Sequence, residues 1–177
     1  MNGTWGNTLA RVVRLEEKTA SAATAESYKL GVAGVSAEIV LWSAEALTAS
    51  FYLRLASASG AGRETLGERL NDPGTRLIPC KVGDRIELLN LDWISFIRVE
   101  GDVPEIARRE ALGAIRQPAK ISMQSGYLLE GQFLYVLPHA RARLSDLLNF
   151  STDRFMLFLA PAAALYVNRK SIVRVIP

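Results

Sequence analysis

Two stretches of this chain each resemble a later stretch of the same chain. Residues 37–57 align without a gap on residues 119–139, and residues 65–97 align on residues 143–175. The matching residues fall at apolar positions of predicted strands and helices, and at the ends of those elements. An internal match of this kind indicates a duplicated supersecondary unit, so it predicts two copies of one small unit.

Each copy has the pattern of two strands, a short helix and three further strands. The strand residues alternate in polarity and include many β-branched and aromatic types, which is typical of strands with one buried face. Each predicted helix carries two leucines four residues apart, and therefore on one face: Leu66 and Leu70, then Leu144 and Leu148. The predicted strands are 38–43, 47–55, 76–80, 85–90 and 94–99, then 120–125, 129–137, 155–159, 163–167 and 172–176.

These elements predict a mainly β protein with two tandem, similar five-stranded units that resemble small barrels. Each unit carries one short inserted helix, and a helical linker joins the two. Because a unit this small buries little apolar surface alone, we expect the two to pack together. The predicted organisation is a flexible or partly ordered segment at 1–36, a first β repeat at 37–101, a helical linker at 102–118 and a second β repeat at 119–177.

The segments outside the repeats have their own signals. Ala, Ser, Thr and Gly dominate residues 19–36, which lack a firm hydrophobic period. In the linker, Pro104 suits the first turn of a helix, while Glu105 and Arg116 suit the two ends of its dipole. Pro118 is expected to end that helix.

Composition narrows the class of protein. Of the 177 residues, 49% are hydrophobic, which is ample for a core, and no apolar run is long enough to span a bilayer. The first residues lack the pattern of a signal peptide, so we expect a cytoplasmic protein without membrane contact. The single cysteine, Cys80, is expected to be a small buried hydrophobe.

No catalytic motif is present. His139 is the only histidine and lies in a predicted loop, and no metal-binding, nucleotide-binding or nucleophile-elbow motif occurs. We therefore expect no enzyme activity, no catalytic residues, no cofactor and no metal site. The alternative is an enzyme whose site lies between the copies and uses carboxylates such as Asp146 or Asp153.

Three polar positions recur in both copies. The asparagines are interpreted as a helix C-cap and a tight turn, since Asn tolerates the left-handed conformation and bonds its own backbone. The arginine is expected to hold the helix in place through carbonyls or a carboxylate, with an anion site as the alternative. The pairs are Asn71 and Asn149, Asn90 and Asn168, and Arg76 and Arg154.

The two copies differ in charge. Residues 37–100 carry seven Lys and Arg against nine Asp and Glu, whereas residues 101–177 carry ten against six. This opposition favours head-to-tail contact between copies or between chains. A possible anion or nucleic-acid patch lies on the second copy, at Arg141, Arg143, Arg169 and Lys170.

The second copy resembles the Sm-like fold, a small SH3-type barrel. Its segment ISMQSGYLLEGQFLYV is similar to the first Sm motif, with Gly126 at a turn and Gly131 where the strand bends, and LYVNRKSIVRVIP is similar to the second. The chain departs from that family in two ways: RLSDLLN adds a helix after the second strand, and Asn168-Arg169 stands where an Arg-Gly pair is usual. RNA binding is therefore not carried over from the resemblance. The helix-and-strand pattern also resembles bacterial domains of unknown function.

The sequence thus predicts a non-enzymatic cytoplasmic binding or scaffolding protein built from an internal duplication. A protein partner or self-association is the expected interaction. The alternative is a module of Sm-like type that binds RNA or single-stranded nucleic acid through the basic patch. Steep salt dependence would mark that second function.

Overall fold

The computed structural model of the chain describes residues 32–57, 60, 62–138 and 143–177. Within them, ten strands and three short α-helices are present, and the prediction of a mainly β protein is confirmed. The first half contains β1 Val32–Leu41, β2 Ala46–Arg54, α1 Leu66–Asn71, β3 Leu77–Val82, β4 Arg85–Asn90 and β5 Ile94–Val99. The second contains α2 Pro104–Ala111, β6 Ile115–Met123, β7 Leu128–Tyr135, α3 Leu144–Phe150, β8 Phe155–Ala160, β9 Ala163–Asn168 and β10 Ile172–Ile176.

The strands form one open antiparallel sheet. Its order is β10-β6-β7-β8-β9-β5-β1-β2-β3-β4, with β10 and β4 at the two ends. The five strands of the first half stand in the order β5-β1-β2-β3-β4, and those of the second in the corresponding order β10-β6-β7-β8-β9. The halves are therefore joined by sheet hydrogen bonds as well as by the chain between them. Below, two residues are called counterparts when the sequence alignment of the two copies pairs them.

Local backbone geometry is the same at the first turn of each half. The predicted turns follow β1 and β6, where Ala44 has a φ of 67° and its counterpart Gly126 a φ of 86°. Glycine suits this left-handed region because it has no Cβ, whereas alanine adopts it at a cost. Ala44 accepts that cost within a turn whose ends are held by the pairing of β1 with β2.

The junction between the halves is the pairing of β5 with β9. Its register places Ile97 opposite Tyr166 and Arg98 opposite Leu165. At the end of β9, the fully buried Asn168 donates from Nδ2 to the carbonyls of Leu91 at 3.2 Å and Ile94 at 2.8 Å. Strand pairing and side-chain hydrogen bonds thus satisfy backbone polar groups across the junction.

Each hydrophobic core contains side chains from both halves. The core beneath the first half includes Leu134, Phe155 and Tyr166 from the second. The core beneath the second half includes Val40 and Phe96 from the first. Because each half completes the core of the other, neither buries its apolar surface alone, as expected for units of this size.

The linker helix is shorter than predicted. α2 ends at Ala111, and Gly113 follows with a φ of 75°, which suits the residue just after a helix. Pro118 does not terminate a helix, because it lies inside β6 and opposite Gln132 of β7. It is tolerated there because β10 pairs with β6 only from Lys120 onward, so the missing N–H of Pro118 breaks no ladder on that side.

We predict that Asn168→Ala lowers the free energy of unfolding by about 1–3 kcal/mol more than Asn90→Ala does, because only Asn168 satisfies two buried carbonyls across the junction. The control is matched, since the side chains of both residues also accept a hydrogen bond from the backbone N–H two residues ahead, at 3.0 Å each. Urea unfolding at high dilution measures both variants. Equal losses would contradict a special role for the junction.

Candidate functional site

The two ends of the sheet are the most unusual surfaces of the described structure. Neither β4 nor β10 has a second neighbouring strand among the described residues. In β4, Ile86 and Leu88 are 60% and 64% exposed, and Leu77 of the adjacent β3 is also exposed. Arg85 and Glu87 of β4 are exposed as well, so this edge alternates charged and apolar side chains. A strand edge with exposed apolar side chains is a template for pairing with another strand.

The counterparts of these exposed residues are buried at the junction. Ala164 and Tyr166 of β9 are the counterparts of Ile86 and Leu88, and both are covered by the first half. Phe155 of β8, the counterpart of Leu77, is completely buried. The same strand position is therefore covered in one half and uncovered in the other.

The opposite end of the sheet shows the same difference. Ser95 and Phe96 of β5 are buried at the junction, whereas their counterparts in β10, Val173 and Arg174, are exposed. Val173 is 68% exposed. β10 is thus a free edge of the type that β5 uses to bind β9, and β4 is a free edge of the type that β9 uses.

The asparagine at the end of α1 has a different role from the one predicted. Asn71 does not form a left-handed C-cap, because the cap position is Asp72 with a φ of −59°. Its side chain instead accepts from the N–H of Phe155 at 2.8 Å and donates to the carbonyl of Phe155 at 2.9 Å. Asn71 therefore acts as a short additional strand partner across the junction, whereas its counterpart Asn149 is exposed.

The other repeated asparagine has its predicted role in a tight turn. The side chains of Asn90 and Asn168 cap the 3-10 turns Leu91–Trp93 and Arg169–Ser171 by accepting from the N–H two residues ahead. This is the Asx geometry that the residue type favours.

An ionic cluster surrounds Asp92 at the junction. Its carboxylate lies 3.7 Å from Arg154, 3.4 Å from Lys170 and 3.7 Å from Arg76. Arg154 also donates to the carbonyl of Thr75 at 3.0 Å. Arg154 thus bonds a carbonyl and a carboxylate of the other half, whereas Arg76 meets only the carboxylate of Asp92 in its own half. These contacts link the two halves and do not attach the helix, which was the predicted role.

The predicted basic patch is spread along α3. Arg141 lies outside the described residues. Arg143 is exposed at the N-terminal end of α3, whereas Arg169 donates to the carbonyl of Ser151 just beyond the C-terminal end. Seven helical residues, about 10 Å, separate those ends. Lys170 is paired with Asp92, so the three described basic residues do not converge on one point.

A buried carboxylate near the junction was missed by the sequence analysis, which treated Glu105 only as a favourable residue at a helix start. Glu105 is almost completely buried, and its oxygens accept from the Tyr166 hydroxyl at 2.9 Å and the Gly67 N–H at 3.2 Å. Arg109 donates to it twice, at 2.6 and 2.9 Å, and also donates to the carbonyl of Leu134 at 3.1 Å. α2 therefore ties α1 to β7 and β9.

The hydrogen-bonded group of Glu105, Arg109, Tyr166 and Gly67 is called the Glu105 lock below. Its electrostatics follow from burial. Burial, together with the adjacent Glu105 carboxylate, raises the pKa of the Tyr166 phenol, so Tyr166 serves as a hydrogen-bond donor. A tyrosine hydroxyl in an otherwise apolar strand requires a buried hydrogen-bond partner. Tyr166 in β9 was therefore the one local feature of the sequence that indicated a buried polar group such as Glu105. Glycine is required at position 67 because a Cβ there would overlap the Glu105 oxygens.

A polar cavity beside the lock bears on the enzyme alternative. Glu105, Arg109 and Asp153 line it together with residues of α1, whereas Asp146 is not among its lining residues. Desolvation raises the pKa of Asp153 despite the nearby Arg109. Four hydrogen bonds from Tyr166, Gly67 and Arg109 engage Glu105, and the cavity is also lined by the carboxylates of Glu64, Glu68 and Asp72.

Cys80 is buried, in agreement with its predicted role in the core, and burial raises the pKa of its thiol. His139 lies outside the described residues. Across the part of the chain that the structure describes, no group of three or more metal-binding side chains occurs. The described helices are all too short or too polar to cross a membrane.

Comparison with known proteins adds no assignment. No family model, no curated protein and no solved structure matches this chain.

We predict that Gly67→Ala lowers the free energy of unfolding by about 1–3 kcal/mol, because the new methyl group displaces the Glu105 carboxylate from its buried donors. Gly34→Ala is the control, since a Cβ at Gly34 meets nothing within 4 Å. Thermal or urea unfolding of the two variants makes the comparison. A loss at Gly34 as large as that at Gly67 would contradict the lock.

We predict that the stability of Asp153→Asn relative to the wild type is greater at about pH 7 than at about pH 4. The folded-state pKa of Asp153 is raised above its ordinary value of 3.8, so the folded protein holds this proton more tightly than the unfolded chain. Its contribution to stability is therefore present at low pH and is lost as the pH rises through the folded-state pKa. Unfolding curves at several pH values, with Asp146→Asn as the control for charge, measure the difference.

Proposed function

We propose that this protein is a non-enzymatic scaffold that associates with further copies of itself, and that its two halves arose by duplication of a small five-stranded unit of Sm-like type. The observation that carries the proposal is the pairing of β5 with β9. That contact joins one half to the other within the chain. The two end strands of the sheet, β4 and β10, each have one edge without a partner among the described residues, and they are the counterparts of β9 and β5.

Physical chemistry favours the same contact between chains. Ile86 and Leu88 expose apolar surface at β4, and burying a side chain of this size contributes about 1.5–3 kcal/mol. Pairing also supplies partners for the free N–H and C=O groups of both edges. An apolar edge that nothing covers would otherwise favour irregular aggregation.

The contact has a direction. Each chain offers one β4 edge and one β10 edge, so the proposed interface joins unlike surfaces. Such a heterologous contact repeats from chain to chain, and it closes into a ring or extends into a filament according to the rotation between copies. In either case every chain keeps the same two neighbours, which suits a scaffold.

We predict that the wild-type chain at about 100 µM has a mass well above that of its 19.4 kDa monomer in size-exclusion chromatography with light scattering. Leu88→Lys is expected to shift it towards monomer, because a charge on the edge opposes strand pairing. Leu112→Lys is the matched control, since Leu112 is exposed in the turn after α2 and lies on neither edge.

The proposal fails if the wild-type chain is monomeric at this concentration. It also fails if Leu112→Lys dissociates the assembly as strongly as Leu88→Lys does. Circular dichroism of both variants shows whether either substitution has disturbed the fold itself.

A further inference from the structure

We infer that the contact between copies has a defined register, in which Arg174 of one chain meets Glu45 of the next and Lys170 meets Asp92. This inference rests on the proposed self-association and specifies its partner surface. It also assigns a role to basic residues of the second half that the internal junction leaves exposed. For each contact of the β5–β9 junction, the counterparts of its two residues are placed in contact between two chains: the first in the second half of one chain, which contains β10, and the second in the first half of the next copy, which contains β4.

The strand register follows first. In the junction, Phe96 lies opposite Val167 and Ile97 opposite Tyr166. Replacing each residue by its counterpart pairs β10 with β4 of the next copy. The resulting pairs are Arg174 with Leu89, Val175 with Leu88, and Ile176 with Glu87.

The first charge pair replaces an aromatic contact. In the junction, the rings of Phe96 and Tyr127 meet edge to face with their centroids 5.2 Å apart. The counterpart of Phe96 is Arg174, and the counterpart of Tyr127 is Glu45. Both are exposed in the described chain. The aromatic pair of Phe96 and Tyr127 inside the chain thus corresponds to the oppositely charged pair of Arg174 and Glu45 between chains.

The second charge pair consists of the same two residue types as the contact inside the chain, Lys170 and Asp92. Lys170 of the second half contacts Asp92 of the first at 3.4 Å. These two residues are counterparts of each other, so the transferred contact pairs Asp92 of the next copy with Lys170 again. The Lys170 side chain is 62% exposed, so it can approach Asp92 of a neighbour while it contacts Asp92 of its own chain.

An apolar contact replaces a polar one beside it. In the junction, the side-chain hydroxyls of Ser171 and Ser95 lie 3.5 Å apart. Their counterparts are Trp93 and Val173, which are 59% and 68% exposed. Two large apolar side chains that are uncovered in the single chain are thereby brought together.

The repeated asparagines supply the matching hydrogen bonds. Asn168 donates across the junction to two carbonyls, so Asn90 of the next copy is placed to donate to the carbonyls of Arg169 and Ile172. Asn71 bonds both the N–H and the C=O of Phe155. The exposed Asn149 is therefore placed to bond the same two backbone groups of Leu77 in the next copy. This accounts for the presence of the same residue type at positions whose contacts differ in the isolated chain.

The test uses charge reversal. In the full chain, Glu45→Arg and Arg174→Glu are each expected to weaken association by about tenfold or more, because each places like charges in contact across the interface. The double variant restores opposite charges with exchanged positions, and it is expected to recover most of the association. Asp102→Arg, just before α2, is the control for a single reversal at an exposed site away from both edges.

Each outcome of this experiment is decisive. Recovery in the double variant supports the register, and weakened single variants without recovery contradict it. If the wild-type chain assembles but the Glu45 and Arg174 variants assemble equally well, this register is wrong and the proposed self-association stands. If the wild-type chain is monomeric, both are overturned. A monomer that binds single-stranded RNA, with binding lost in Arg174→Glu and Lys170→Glu, would assign these residues to nucleic acid instead.

Discussion

The pairing of β5 with β9 is the contact on which the rest of this structure depends. It converts two groups of five strands into one sheet of ten and brings side chains of each half into the core of the other. Hydrogen bonds at Asn168 and Asn71 support the end of the contact where β9 terminates, and the buried Glu105 ties α2 to β9 through Tyr166. Removing this junction would expose both cores at once.

The same contact explains why the ends of the sheet look as they do. Each half contributes one edge to the β5–β9 pairing, and the corresponding edges of β10 and β4 have no partner strand among the described residues. At these remaining edges, residues such as Leu88 and Arg174 differ in chemistry from their buried counterparts Tyr166 and Phe96. Opposite charges at Arg174 and Glu45 suit an interface between separate chains, where electrostatic complementarity sets orientation and the choice of partner.

Local features were predictable to the extent that local chemistry produces them. The bounds of β4, β5 and β10 agree with the prediction, because short alternating runs flanked by turn residues contain most of the relevant information. The linker helix was extended too far because Pro118 was read as a terminator, when the absence of a neighbouring strand at that position lets proline lie within β6. The predicted C-cap role of Asn71 was wrong because its hydrogen-bond partner, Phe155, lies far away in the sequence and could not be identified from local residues.

The mainly β class and the order of the short elements in each half could be predicted from the amino-acid sequence, since both depend on periodicity and residue type within short windows. The pairing that covers one edge of β5 and β9, and the burial of Glu105 among four donors, arise from contacts between distant segments. The tertiary structure also decided that the predicted basic residues Arg143 and Arg169 lie at opposite ends of α3. These outcomes depend on strand pairing between residues far apart in the chain, and the free energy of such pairing arises from packing that no single segment contains.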